Sequence, residues 1–375
     1  MCDKIKNIVV TSVFSAFLAF FAIMCVYGYF NPEATSVAER RPLAQFPEEI
    51  TWEGIVDKTD ISKFESASVD QFPFREFFRG IKANFQYNVL GLKENNKLTI
   101  IDGQIIKVEN TLYEDSLNAA GKKFNTIYDR YLKGKNTNVY FSIIPDKSYF
   151  AGEQFGYPSV DYNKLIEIMK ENLSEMEYID IMNSLELSDY YKTDTHWSQD
   201  KIIDVAEKIS NAMGMDFNPS GYYDKHEVSD FYGVYYGQSA INPDPDKIVY
   251  LSNEILDSCI VYDYENLSKT LPIYNLDKVN GDDAYELFLS GSKVLLRIEN
   301  PNATTDKSLV VFRDSFGSSL APLLAEGYKT VYVADIRYMS PYQLCPMIGD
   351  FTDMDVLFIY SASVINSPDF NKTFK

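Results

Sequence analysis

The chain has 375 residues and only two histidines, His196 and His226. His196 stands two places after Asp194 and directly before Trp197, within Tyr190-Tyr191-Lys192-Thr193-Asp194-Thr195-His196-Trp197. In an extended or tightly turned segment, residues two apart can face the same side. The carboxylate can then take the Nδ1 proton of the imidazole and leave Nε2 free as a base. Further along, an apolar run ends in Arg313-Asp314-Ser315-Phe316-Gly317. An aspartate that orients a histidine, with a serine at a strand-to-helix turn, is the minimum set for serine acyl transfer. Each half also has a plainer reading. A serine at such a turn is most often a helix cap, and a histidine beside an aspartate is as readily a half-buried residue with a satisfied neighbour. A metal site is disfavoured, because no other His or Cys lies near the pair and no Cys/His cluster of zinc spacing occurs.

Short apolar segments alternating with helical ones must position these residues. Strands are predicted at Asn138–Ile144, Glu177–Ile181, Lys293–Ile298, Ser308–Phe312, Thr330–Val333 and Asp355–Tyr360. Helices are predicted at Leu112–Leu132, Tyr162–Glu175, Asp200–Met213 and Ser318–Glu326, the last with Pro322 in its first turn, where proline is tolerated. Asp102-Gly103 between apolar residues reads as a hairpin turn. The pattern is that of an α/β fold with a mostly parallel sheet and helices on both faces. Ser315 then falls at the C-terminal end of a parallel strand, where open sheets bind ligands. The free N–H groups of the next helix would face a developing oxyanion there. Gly317 would allow a tight turn or a close approach to a ligand.

Residues 7–30 carry no charge and are long enough to cross a bilayer as a helix. Lys4 and Lys6 precede them, which places the N-terminus in the cytoplasm. A cleaved signal peptide is the competing reading, but its apolar region is normally shorter and no small-x-small site follows. The expectation is a single-pass protein of the cell membrane. Residues 1–30 form its tail and transmembrane anchor, 31–98 a juxtamembrane helical segment, and 99–375 an extracytoplasmic catalytic domain. The Tyr-, Asp- and Gly-rich stretch 214–290 fits an insertion shaping the site. Pro32, Pro42 and Pro47 extend the start of the juxtamembrane segment, and a helical pattern runs from Ile61 to Leu92. A hydrophobic share of 46% supports one large domain or two ordinary ones. The net charge of −19 argues against nucleic acid or another polyanion as a main partner, because phosphates would be repelled, and its plainer reading is solubility. Cys259 and Cys345 fit either a pair or two buried thiols.

The string TDTHWS before a helix, and VVFRDSFGSSL later, resemble the DHHW protein family and the alginate O-acetyltransferases related to SGNH hydrolases. QFPFR at 71–75, IPDK at 144–147, FYGVYY at 231–236 and DIRY at 335–338 also match, so the likeness covers most of residues 35–365. The family has His-His where this chain has Thr195-His196; the alginate enzymes share the Asp-Thr-His form. The resemblance implies an SGNH-hydrolase-like fold with Ser315 as nucleophile, His196 as general base and acid, and Asp194 as orienter. It implies O-acyl transfer, foremost O-acetyl, to hydroxyls of a cell-surface or secreted polysaccharide through an acyl-serine. No cofactor is implied, and a membrane acyltransferase partner would supply the acyl group. A carbohydrate O-acetyl esterase with the same triad is one alternative; a non-catalytic glycan-binding or assembly protein is another.

Other residues carry double readings. Trp197 contacts substrate or packs under the histidine, and Asp314 caps the turn. Arg313 and Arg337 contact an anionic donor or sugar, or pair with Asp314 and Asp335. Tyr191 and Tyr235, with Tyr190, Tyr232 and Tyr236, stack on sugar faces or anchor core and loops. Lys147 is structural, and His226 is a surface residue. The family's Gly and Asn oxyanion residues have no clear counterpart, with Asn300 the nearest candidate.

Overall fold

The computed structural model describes residues 2–215, 223–241, 244–266 and 269–370, with backbone alone at positions 2 and 3. The chain forms two units, residues 1–96 with 234–243, and residues 97–233 with 244–375.

In the larger unit the apolar runs become the strands of one sheet. Among the described residues its order is Thr270–Leu271, Ile260–Asp263, Leu295–Glu299, Thr330–Ala334, Ser308–Arg313, Met354–Ser361, Asn138–Ile144 and Glu177–Tyr178. Neighbours from Thr330–Ala334 onward are parallel, and the three strands on the other side are added antiparallel. Alternate side chains of each central strand enter different cores, as the two-residue period of a strand requires. Leu309 and Val311 join one layer with Val331, Val333, Leu357 and Ile359. Val310 and Phe312 join the other with Phe141, Val356 and Phe358. Helices Ile203–Ala212 and Gly317–Ala325 cover the first face, and Glu114–Ile127 and Tyr162–Asn172 the second. The fold is therefore α/β, with a mostly parallel sheet covered on both sides, as expected.

Some boundaries move. The strand foreseen to Ile181 stops at Tyr178, and Met182–Ser184 forms a 3-10 turn. The helix foreseen from Asp200 begins at Ile203, after a 3-10 turn at Gln199–Lys201. Pro322 lies in the second turn of Gly317–Ala325, not the first. There its missing N–H leaves the Ser318 carbonyl without its helical donor. Asp102-Gly103 turns the hairpin Leu98–Ile101 and Gln104–Lys107 as expected. In the stretch 214–290, residues 216–222, 242–243 and 267–268 lie outside the described residues. The hairpin Asp224–Phe231 and Asp246–Ser252 dominates the rest. Cys259 and Cys345 are both free and buried, and burial pushes each thiol up to about 12.

The smaller unit contains helices Cys2–Phe30, Trp52–Val56, Thr59–Asp70 and Arg75–Asn84, and a π-turn at Phe85–Val89. The helical pattern from Ile61 to Leu92 is thus interrupted, with Pro73 and left-handed Phe74 (φ 60°) before the restart at Arg75. Residues Lys4–Phe30 are long and apolar enough to cross a membrane, and that helix is not buried inside the protein.

Candidate active site

The segment carrying Asp194 and His196 is a tight reversal. Tyr190 and Trp197 bridge across its base, and Tyr191 N–H donates to the His196 carbonyl at 3.0 Å. Three neighbours hold it. The Lys147 ammonium donates to the carbonyls of Ile105 (2.8 Å), Tyr191 (2.7 Å), Lys192 (3.2 Å) and Asp194 (3.0 Å). Burial pushes Lys147 down to about 7, against the pull of Asp194 and Asp246. The Asp246 carboxylate accepts from Lys192 N, Thr193 N and Thr193 Oγ1 at 2.6–2.8 Å. Gly233 lies so close that a Cβ there would fall 2.3 Å from the Asp194 Cβ.

Within this reversal Asp194 Oδ1 accepts from His196 N at 3.0 Å and from His196 Nδ1 at 2.6 Å. A carboxylate only accepts, so the imidazole carries its proton on Nδ1, and Nε2 presents a lone pair. His196 Nε2 lies 2.8 Å from Ser315 Oγ. Asp194 is fully buried and His196 nearly so, while Ser315 is half-buried and reachable. Low solvent access strengthens both bonds. The arrangement can move a proton from the serine hydroxyl to the imidazole, with the resulting cation held by Asp194.

The serine turn is also tethered. Asp314 Oδ1 accepts from Phe316 N at 3.1 Å, and its Oδ2 accepts from Ser361 N and Oγ at 2.7 Å. Gly317 N–H and Ser318 N–H donate to the Asp314 and Ser315 carbonyls. The N–H groups of residues 316–318, foreseen as facing an oxyanion, are therefore used within the turn. Gly317 makes room for the Arg313 side chain rather than a ligand, since a Cβ would lie 2.5 Å from the Arg313 Cβ.

Several expected contacts fall elsewhere. Arg313 is buried (1% exposed), with Nη1 at 3.3 Å from the Asp314 carbonyl and 3.6 Å from Asp335. Arg337 grips Asp335 through Nε (2.9 Å) and Nη2 (2.6 Å). The ion-pair reading accounts for both. Trp197 is fully buried, donating from Nε1 to Ser319 Oγ at 2.9 Å. Tyr191 is buried edge-on against Phe231. Tyr235 belongs to the smaller unit and Ser315 to the larger. Asn300 donates to the carbonyl of Ala325, at the C-terminal end of the helix that Ser315 precedes, so it is no oxyanion contact. His226 is half-buried, stacked on Tyr250 and 2.7 Å from Ser252 Oγ, rather than a free surface residue.

Gly233 and Asp246 were not foreseen at the site, and neither was Tyr285. The Tyr285 ring stacks on the His196 imidazole, centroids 3.9 Å apart and planes 12° from parallel. Its hydroxyl meets Ser319 Oγ at 2.8 Å, the same oxygen that Trp197 reaches. Tyr285 thus forms one wall for the histidine, and Phe316 packs on it at 4.8 Å. Nothing in the sequence separates Tyr285 from the chain's 27 other tyrosines.

Comparison with known proteins places the chain in a family. No curated protein matches the chain. Among solved structures, a DHHW family protein from Eubacterium siraeum matches with a TM-score of 0.59 and 19% identity, over 74% of this chain and 95% of that one. Bacillus cereus PatB1, solved with a sulfonyl adduct, matches with a TM-score of 0.59 and 21% identity, over 74% of this chain and 98% of that one. Both likenesses are of fold. The sequence pattern of the DHHW protein family matches residues 125–334, more than half of the chain and including Asp194, His196 and Ser315. The chain belongs to the DHHW protein family.

Proposed function

We propose that this protein transfers an O-acyl group, foremost acetyl, to hydroxyls of a cell-surface or secreted polysaccharide through an acyl-serine. The observation that carries the reading is the unbroken relay from Ser315 Oγ to His196 (2.8 Å) and on to buried Asp194 (2.6 Å). His196 Nε2 takes the hydroxyl proton as Ser315 Oγ attacks the acyl carbonyl carbon. The tetrahedral centre collapses, the bond to the donor breaks, and His196 returns the proton to the leaving group. A sugar hydroxyl then attacks the acyl-serine. His196 removes its proton, the acyl–serine bond breaks, and the proton returns to Ser315.

The N-terminal helix serves as a single membrane anchor with the larger unit on the extracytoplasmic side, following Lys4 and Lys6. An acyl donor made in the cytoplasm would reach that side through a membrane acyltransferase partner.

The test is intact-mass analysis of the full chain after incubation with a small acetyl ester, beside Ser315→Ala and His196→Ala. An acetyl adduct confined to wild type supports the reading, and an arylsulfonyl fluoride should label the same serine. An adduct discharged to water, with no transfer to any glycan acceptor, identifies an esterase. Glycan binding that survives Ser315→Ala, with no adduct on wild type, identifies a binding protein.

A further inference from the structure

Helix Arg75–Asn84 is amphipathic in the opposite sense from a helix of a water-soluble protein. Its apolar side chains point away from the protein: Phe77 is 65% exposed and Ile81 50%. Phe74 before the helix and Phe85 after it continue the same stripe, at 68% and 51%. Successive spacings of three and four residues keep this stripe on one side. On the other side Arg75 and Arg79 turn inward, while Glu76 and Lys82 stay exposed. Arg79 pairs with Glu39 at 3.1 Å and donates to the Gly237 and Gln238 carbonyls, and Arg75 pairs with Glu39 at 2.5 Å. Water does not stabilise such an arrangement, because contiguous exposed apolar area of this kind marks a contact surface.

The partner follows from what the helix touches. The rings of Phe72 and Phe78 lie 5.6 and 6.4 Å from that of Phe21, which belongs to the long apolar N-terminal helix. Phe21 sits nine residues before the end of that helix at Phe30, roughly 13 Å along its axis. The hydrocarbon of a bilayer is about 30 Å thick. Side chains in ring contact with Phe21 therefore lie at the depth of the nearer leaflet. Inward arginines and an outward apolar stripe suit lipid on the outside. We infer that the outer face of helix Arg75–Asn84 is a second membrane contact, seated among lipids of the leaflet next to the smaller unit. The inference rests on the reading of the N-terminal helix as a membrane span.

The test places p-benzoylphenylalanine at Phe77 or Ile81 of the full chain, in membranes of the producing cells, with photolysis and mass analysis of adducts. Phe14, within the span, is the lipid-facing control, and exposed Lys122 on the larger unit is the water-facing one. The expected result is lipid adducts at 77 and 81 in yields comparable with Phe14, and none at 122. Lipid adducts at 14 with none at 77 and 81, or with adducts there to a second protein, overturn the inference and leave the span intact. Absence of lipid adducts at 14 removes the span itself, and the inference falls with it.

Discussion

The imidazole of His196 is constrained on every side that matters for proton transfer. Asp194 fixes its tautomer, Ser315 waits at Nε2, and Tyr285 and Phe316 press on its ring. Asp194→Asn keeps the shape of the carboxylate but can donate as well as accept, so the imidazole loses its enforced Nδ1 proton. Acyl transfer should fall by about 10³–10⁴-fold with little change in the unfolding midpoint; a loss under tenfold would remove Asp194 from the relay. Tyr285 separates packing from hydrogen bonding. Tyr285→Phe loses only the bond to Ser319, a cost of about 1 kcal/mol, and should keep kcat within a few-fold. Tyr285→Ala removes the wall, should lower stability by about 3 kcal/mol, and should lower kcat far more than it raises KM. Equal activity in the two variants, measured with the same donor and acceptor, would show that the ring does not position the histidine.

Elements deliver these residues through contacts distant in sequence, and two of those contacts can be tested. Gly233→Ala drives a methyl group into Asp194, 2.3 Å from its Cβ. Overpacking of this sort costs about 1–3 kcal/mol, and transfer should drop along with the melting temperature, whereas Gly80→Ala, in a helix with open space around it, should spare both. Lys147 tests the tether by pH. Its pKa is lowered from 10.5 to about 7 by burial, so above pH 7 the unfolded chain holds a proton that the native protein has released. Stability therefore rises with pH between about 7 and 10, relative to Lys147→Met, which lacks the titration. Urea unfolding of both at pH 7 and 9.5 should show wild type gaining; parallel behaviour would mean the ammonium stays charged among its four carbonyls. These contacts also mark where sequence reading succeeded and where it stopped. The strands of the parallel sheet were legible because residues buried on both faces are apolar without interruption, as at Leu309–Phe312. The Asp194–His196 pair was legible because its partners are two residues apart. Gly233, Asp246 and Tyr285 were not, because only the folded sheet brings them to the reversal. Arg313 and Arg337 stayed ambiguous because a charge beside a nucleophile reads equally as a ligand contact or an ion pair, and the fold pairs both with Asp335.

At the scale of the whole molecule the dominant property is charge, −19 at neutral pH. A field of that sign repels polyanions and favours neutral or cationic partners, over a range set by ionic strength. The Debye length is about 10 Å at 0.1 M salt and about 30 Å at 0.01 M, so an anionic polysaccharide approaching the larger unit meets repulsion that salt relieves. The proposed reaction is local, because Asp194 and His196 are buried and only Ser315 is partly open, so screening bears little on the relay. Salt should therefore act on encounter and not on chemistry. For an anionic acceptor kcat/KM should rise between 0.01 and 0.3 M salt while kcat stays level. For a neutral glycan both should stay level. The measurement compares a polymer of uronic acids with a neutral polymer of similar length, using the same acetyl donor. A fall of kcat/KM with salt on the anionic polymer would mean that a basic patch near the acceptor site outweighs the net charge. Lysines of the larger unit such as Lys192, Lys201 and Lys247 would then be the first to replace.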